Sequence, residues 1–103
     1  MLEKIEYLHE PGSENQHHVV VFALSTCGFC QRALDYLRRR SVDFKFVYVD
    51  QLPLEVKTQV KEELKTRYQR SLVFPFLVID DSVSLTGFTQ ERWEEALGAK
   101  PSE

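Results

Sequence analysis

The chain has 103 residues and places its two cysteines, Cys27 and Cys30, two residues apart in the stretch STCGFC. Two thiols at this spacing fit three kinds of site: a redox-active pair, half of a metal site, or two packed side chains. The elements that hold the two sulfurs decide among these alternatives, because thiol chemistry depends on exposure and on nearby charge.

A strand and a helix are predicted on either side of the first cysteine. Residues 19–24 are β-branched, aromatic and apolar without polar alternation, which is typical of a strand buried on both faces. Residues 28–40 follow with the spacing of an amphipathic helix. The apolar stripe of that helix consists of Cys30, Ala33, Leu34 and Leu37.

The predicted helix makes the two thiols unequal. Cys30 shares the apolar stripe, so it should point into the protein, whereas Cys27 lies at the helix start and faces solvent. Unpaired N–H groups and the positive end of the helix dipole both favour a thiolate there. The spacing therefore predicts that Cys27 attacks a disulfide and that Cys30 resolves the mixed disulfide that forms.

The two alternatives fit the residues less well. Tetrahedral zinc takes four ligands, and the chain offers no second pair of cysteines, only the three histidines His9, His17 and His18. Packing alone does not explain Cys27, which has no apolar face to complete. We expect a redox pair and no metal site.

The remaining pattern predicts a strand, a helix, two more strands and a last helix. Residues 43–49 return to strand character, so strand, helix and strand form a βαβ unit with parallel strands. Further segments are a helix from Pro53 to about Tyr68, strands at 76–79 and 83–86 joined by a turn at Asp80-Asp81-Ser82, and a helix capped by Thr89 that ends near Gly98.

The N-terminal part gives a weaker pattern. Residues 5–8 have the composition of an added edge strand, followed by Pro11-Gly12 and a polar stretch. We therefore divide the chain into an N-terminal extension over residues 1–17, one domain over residues 18–98 and a flexible tail over residues 99–103.

Composition excludes several classes of function. The apolar content of 43% and charged content of 28% are those of one globular domain. The net charge of -3 gives no basic field for nucleic acid, and the run Arg38-Arg39-Arg40 fits a solvated helix end. Charged residues interrupt any signal peptide in residues 1–12, and the apolar run 19–24 is too short to cross a membrane. We expect a cytoplasmic protein without nucleic-acid or membrane partners.

Three motifs resemble the glutaredoxin family. Cys27-Gly28-Phe29-Cys30 stands in place of the family's more common CPYC. Val73-Phe74-Pro75-Phe76 falls where the family has a Thr-Val-Pro segment with a cis proline, and Thr86-Gly87-Phe88 falls near its Gly-Gly pair. The last segment, with the residues after it, also resembles the glutaredoxin-like hydrogen donors of ribonucleotide reductase.

The resemblance implies a fold, an activity and a groove. The fold is α/β and thioredoxin-like: a βαβ unit, a helix and a ββα unit, with a central mixed four-stranded sheet flanked by helices and an extra N-terminal strand. The activity is thiol–disulfide exchange on protein or small-molecule disulfides. The residues implied to shape the substrate groove are Phe29, Phe74, Pro75, Gly87 and Phe88.

Two departures concern glutathione. The family's lysine three residues before the first cysteine is Leu24 here, and its aspartate after the Gly-Gly pair is Gln90. Both family residues anchor glutathione, so the resemblance implies a weakened dependence on that reductant. A thioredoxin-reductase-like enzyme, a ferredoxin-linked reductase or another small thiol would then reduce the pair. We expect the protein to act as a monomer.

A second function stays open. Some glutaredoxins with a glycine after the first cysteine hold a [2Fe–2S] cluster between two subunits, through that cysteine and glutathione. The alternative for this chain is a cluster carrier that uses Cys27 in a cluster-bridged dimer. It needs two thiolates from glutathione, whose anchors the sequence lacks.

Overall fold

A computed structural model describes residues 1–98. It contains five strands and three α-helices in an α/β arrangement. The strands are β1 (Leu8–Glu10), β2 (Val19–Ala23), β3 (Phe44–Tyr48), β4 (Phe76–Ile79) and β5 (Val83–Thr86). The helices are α1 (Gly28–Arg40), α2 (Leu54–Tyr68) and α3 (Gln90–Leu97), with short 3₁₀ turns at Leu2–Lys4 and Val49–Gln51.

The strands form one mixed sheet in the order β1-β3-β2-β4-β5. β2 and β3 are parallel and enclose α1, which confirms the βαβ unit, while every other pair is antiparallel. The predicted four-stranded sheet is present, and the extra N-terminal strand extends it to five. The helix α1 and the strands β4 and β5 have the predicted bounds.

The sheet separates two hydrophobic cores. On one face, Val21, Ala23 and Leu77 pack with α1 and α3, and Trp93 of α3 is fully buried there. On the other face, Phe22 and Phe76 pack with α2 and with the first residues of the chain. Because β2 contributes to both cores, all five of its residues are buried, as an uninterrupted apolar strand requires.

The N-terminal edge strand lies three residues later than predicted. Ile5 is buried against the core shared with α2, and the strand that pairs antiparallel with β3 is Leu8–Glu10. Pro11 follows at once, and proline does not donate to a sheet ladder. The strand therefore occupies only the interval between the buried anchor and the proline.

Gly12 lets the extension cross the α1–β3 loop at close range. A Cβ at this position would lie 2.4 Å from the carbonyl oxygen of Ser41. The Gly12 N–H donates to Asp43 Oδ2 at 3.1 Å, and Glu14 continues with a parallel bridge to Val42. Residues 8–14 are thus fastened to the rest of the domain. The boundary between extension and domain at residue 17 stays a prediction.

The expectation that the arginine run is a solvated face is wrong for one member. Arg39 is exposed, but Arg40 is buried, and its Nε lies 2.8 Å from Glu14 Oε2. Arg40 also donates to the Tyr36 hydroxyl at 3.1 Å and to the Gly98 carbonyl at 2.6 Å. Glu14 and Gly98 are distant from Arg40 in sequence, so the helix pattern alone did not show the burial.

The loops and ends follow the sequence signals. Asp80 and Asp81 both adopt positive φ in the β4–β5 turn, and Thr89 accepts from the Arg92 N–H as the N-cap of α3. The predicted flexible tail at residues 99–103 lies outside the described residues. No helix within residues 1–98 is long and apolar enough to cross a membrane.

Candidate active site

Cys27 occupies the N-cap of α1, in the loop that leaves the carboxyl end of β2. Its N–H donates to the Leu24 carbonyl at 3.2 Å, and its carbonyl accepts from the Gln31 N–H at 3.1 Å. The backbone is extended at φ -97° and ψ 117°, the usual conformation of an N-cap. The sulfur is therefore held where the first turn of the helix leaves N–H groups unpaired.

The two sulfurs differ in exposure and in hydrogen bonding. Cys27 is half-buried and Cys30 has no exposed surface, and both are free thiols. The Cys30 N–H donates to Cys27 Sγ at 3.2 Å, and the Leu24 N–H donates to Cys30 Sγ at 3.5 Å. One sulfur is partly exposed while the other lies in the core, as the helical spacing predicts.

The pKa of the Cys30 thiol is raised to about 12. Burial is the largest cause, and the hydrogen bond and negative charge of Cys27 act in the same direction. The Leu24 N–H acts in the opposite direction. Cys30 is therefore a protonated thiol at neutral pH. Part of the shift depends on Cys27, so the ionisation of the two sulfurs is linked.

The proline segment lies beside the carboxyl end of β2. Phe22 pairs with Phe76, so Pro75 is level with the residue that ends β2. The Phe74–Pro75 bond is cis, as the resemblance implied, and Pro75 is buried while Phe74 is half-buried. The segment therefore lies at the same sheet edge as the cysteine loop.

The Gly87-Phe88 segment is fixed to the proline segment. The Gly87 N–H donates to the Pro75 carbonyl at 2.9 Å. Gly87 has a φ of 75°, which residues other than glycine rarely adopt. Its carbonyl accepts from Trp93 Nε1 at 3.0 Å. The Phe88 ring stands edge-on to Trp93 at 5.1 Å and also contacts Tyr36. Buried aromatic residues thus support the Gly87-Phe88 segment.

Phe29 lies apart from these packed walls. Its side chain is 58% exposed, and the guanidinium of Arg32 lies 4.4 Å from the centre of its ring. The ring belongs to the surface beside the cysteines, with a cation held over it. Of the residues named from the sequence, the structure joins Pro75 and Gly87 directly and leaves Phe29 exposed, apart from both.

Sequence analysis missed Asp50 and Ser25. The Ser25 N–H donates to Asp50 Oδ1 at 2.9 Å, and the Ser25 hydroxyl donates to Asp50 Oδ2. The hydroxyl bond, followed by the N–H bond, lowers the pKa of the Asp50 carboxyl. A signal was present, because parallel strands end at the same sheet edge and both residues follow such a strand closely.

The two positions that depart from the glutathione anchors have ordinary surroundings. Leu24 packs against the core shared with α2, and Gln90 is the exposed first residue of α3. Neither side chain is charged. Among residues 1–98, no three His, Cys, Asp or Glu side chains converge as a metal-binding group.

Comparison with known proteins identifies the family. A sequence model of the glutaredoxin family matches residues 19–83, which is more than half of the chain. The chain belongs to the glutaredoxin family. The match runs from the first residue of β2 to the first residue of β5, so it includes both cysteines and the proline segment.

Solved structures of other family members have the same fold. The glutaredoxin from Methanosarcina mazei is 32% identical, with a TM-score of 0.80 over 93% of this chain and 91% of that chain. Methanoredoxin from Methanosarcina acetivorans is 32% identical, with a TM-score of 0.77 over 85% of this chain and 90% of that chain. A glutaredoxin from Archaeoglobus fulgidus is 31% identical, with a TM-score of 0.69 over 78% and 85% of the two chains. No curated protein sequence gave a significant match.

These similarities confirm the thioredoxin-like fold inferred for this glutaredoxin. The glutaredoxin from Methanosarcina mazei aligns over nearly the whole of both chains, so the match extends beyond the region of the family model. The finer likeness to hydrogen donors of ribonucleotide reductase stays a prediction.

Proposed function

We infer that this glutaredoxin is a dithiol thiol–disulfide oxidoreductase in which Cys27 is the nucleophile and Cys30 the resolving thiol. The observation that carries this proposal is the inequality of the two sulfurs: one is half-exposed at a helix N-terminus and the other is buried one turn along. An attacking thiol needs access and a stabilised thiolate, whereas a resolving thiol needs only proximity to the first.

The first step is attack on the substrate disulfide. The Cys27 thiolate forms a bond to one substrate sulfur, the substrate S–S bond breaks, and the other sulfur leaves as a thiolate that takes up a proton. The Cys30 N–H supports the thiolate before attack. Phe74, Pro75, Gly87 and Phe88 form the wall beside the sulfur, and Phe29 lies at its rim, where they would contact the substrate.

In the second step Cys30 attacks the mixed disulfide. Once Cys27 Sγ is bonded to substrate its negative charge is gone, so one of the causes that keep Cys30 protonated is removed. Cys30 then loses its proton and attacks Cys27 Sγ. The second substrate sulfur leaves as a thiol, and the chain retains the Cys27–Cys30 disulfide, having given up two electrons.

The pair must then regain two electrons from another thiol. Leu24 and Gln90 replace the two charged anchors for glutathione that the family carries. Each charge-assisted hydrogen bond contributes about 1.5–3 kcal/mol, so losing two weakens glutathione binding by roughly two orders of magnitude or more. We propose that a reductase or another thiol reduces the disulfide faster than glutathione does.

The proposal is tested by turnover with defined reductants. Reduction of a small disulfide and of insulin is followed with glutathione, glutathione reductase and NADPH, and separately with thioredoxin reductase and NADPH. Cys27→Ser should reduce turnover to background in every assay, while the exposed neighbour Thr26→Ser should keep it. Full turnover in Cys27→Ser would overturn the proposal.

The cluster-carrier alternative makes a different prediction in the same protein. Reconstitution with iron and sulfide in the presence of glutathione would give a coloured dimer that depends on Cys27 but not on Cys30. We propose the oxidoreductase because the buried resolving thiol has a role in that reaction and none in the cluster. The cytoplasmic location and the monomeric state expected from the sequence belong to the same proposal.

A further inference from the structure

A pocket of about 400 Å³ lies on the face of the sheet that packs with α2. We call it the N-terminal pocket: it lies between residues 2–7, the last turn of α2 and the strands β2, β3 and β4. Neither cysteine lines it. Its volume is within the range of small-molecule sites, so it is large enough for a compact organic ligand.

The base and walls of the N-terminal pocket are apolar and aromatic. Val20 and Val78 are neighbours on β2 and β4 and form the base. Tyr7 stands edge-on to Phe22 at 6.0 Å, and Tyr68 of α2 also lines the pocket. These aromatic rings favour a ligand with a flat aromatic body.

The charges at the rim are uneven. Glu3 lies 3.2 Å from the N-terminal ammonium and 3.7 Å from Arg67. Glu63 lies 3.1 Å and 3.6 Å from the same two cations, so the two negative and two positive groups largely neutralise one another. Asp81 is the remaining carboxylate of the lining and belongs to the β4–β5 turn.

Two basic side chains of the pocket lining, Lys45 and His18, lie next to Val20. Lys45 is its partner on β3, and His18 lies two residues before it on the same face. Lys45 takes part in none of the ion pairs formed within residues 1–98. We call Lys45 and His18 the basic corner. An anionic group bound there would give Lys45 an ion-pair partner that residues 1–98 do not supply.

We propose that the N-terminal pocket is a binding site for a small aromatic molecule with one negative charge. The aromatic body lies against Val20 and Val78 in contact with the tyrosine rings of the lining, and the anionic group lies at the basic corner. The site is separate from the redox pair, so the inference does not depend on the proposed activity. Occupancy would fasten residues 2–7 to the sheet and to α2.

The test uses two probes that differ only in charge. Anilinonaphthalene sulfonate is an aromatic anion, and phenylnaphthylamine has the same rings without the sulfonate. Each is titrated into the reduced protein by fluorescence, and the binding site is located by NMR from changes in backbone amide shifts. We expect saturable binding of one anion, with shifts at Tyr7, Val20 and Val78 and none at Cys27.

Charge-reversal variants separate the basic corner from general electrostatics. Lys45→Glu should weaken binding of the anion about three- to tenfold and leave binding of the neutral probe unchanged. Lys65→Glu, an exposed lysine of α2 outside the lining, makes the same change in net charge and should weaken neither. Absence of saturable binding, shifts centred on Cys27, or equal losses in both variants would overturn the proposal.

Discussion

The backbone N–H of Cys30 donates to Cys27 Sγ across 3.2 Å, so the residue whose own sulfur is buried supports the sulfur that is exposed. The two thiols are thereby linked in both directions, because burial raises the pKa of Cys30 and the hydrogen bond and charge of Cys27 add to that effect. This relationship orders the two steps of the proposed reaction and leads to a first prediction.

Alkylation of the reduced protein should distinguish the two thiols. Since burial raises the pKa of Cys30 to about 12, its thiol stays protonated and enclosed between pH 6 and about pH 9. Iodoacetamide should therefore modify Cys27 alone over this range, as mass spectrometry of peptides would show. Equal modification of Cys30 in the folded chain would contradict the assigned environments, and the urea-unfolded chain is the control in which both should react.

A second prediction concerns the bond between Asp50 and Ser25. Asp50→Ala removes both acceptors for Ser25, so the loop that precedes Cys27 should lose an anchor. We expect faster hydrogen exchange at the Ser25 amide and disulfide turnover lower by about threefold to tenfold, because small misplacement of a reacting group is costly.

The matched control for Asp50 is Glu55→Ala, which removes an exposed carboxylate from the first turn of α2. It should change neither the Ser25 exchange rate nor turnover. If Asp50→Ala left both quantities at the wild-type value, Asp50 would have no role in positioning the loop.

A third prediction concerns the buried pair of Arg40 and Glu14. Their side chains are 4% and 8% exposed, so Arg40→Met leaves a carboxylate buried without its partner. The free energy of unfolding in urea should fall by about 3 kcal/mol. Arg39→Met, at the exposed neighbouring position, should change it by less than about 0.5 kcal/mol. A loss of equal size at both positions would contradict the burial of the pair.

A fourth prediction concerns acid stability at the N-terminal extension. The hydrogen bond from His9, followed by that from the Gly12 N–H, lowers the pKa of Asp43 below 3.8. A lowered pKa stabilises the fold above pH 3.8, and that contribution is lost as the pH falls through the lowered value. The stability difference between wild type and Asp43→Asn should therefore shrink between pH 5 and pH 2.5 in urea titrations.

Asp35→Asn is the control for Asp43, since it removes a carboxylate from the outer surface of α1. It should not reproduce the pH-dependent difference. A difference for Asp43→Asn that stayed constant down to pH 2.5 would contradict the lowered pKa.

Strong local signals made much of the fold predictable. The bounds of α1 follow from its apolar stripe and from Cys27 at the N-cap, and β4 and β5 follow from two apolar runs around Asp80-Asp81. The 3₁₀ turn Leu2–Lys4 and the strand Leu8–Glu10 have three residues each, too few to show a period. Their positions depend on the packing of Ile5 against the core, which the local sequence does not predict.

The site was predictable where chemistry and helical spacing coincide. The unequal burial of Cys27 and Cys30 follows from their places on the helix, and the glutaredoxin resemblance supplied the proline and glycine segments. The hydrogen bonds between Ser25 and Asp50 join residues that are 25 positions apart, and the buried pair of Glu14 and Arg40 joins residues that are 26 positions apart. Such pairs appear only after the strands and helices have been assembled.

The most direct test of the assigned roles is the intact mass of Cys30→Ser after reaction with a small disulfide. Without the resolving thiol, Cys27 should stay bonded to half of the substrate, and the mass should increase by that half until a reductant is added. Cys27→Ser treated in the same way should show no increase. An adduct on Cys27→Ser, or none on Cys30→Ser, would contradict the assignment of nucleophile and resolving thiol.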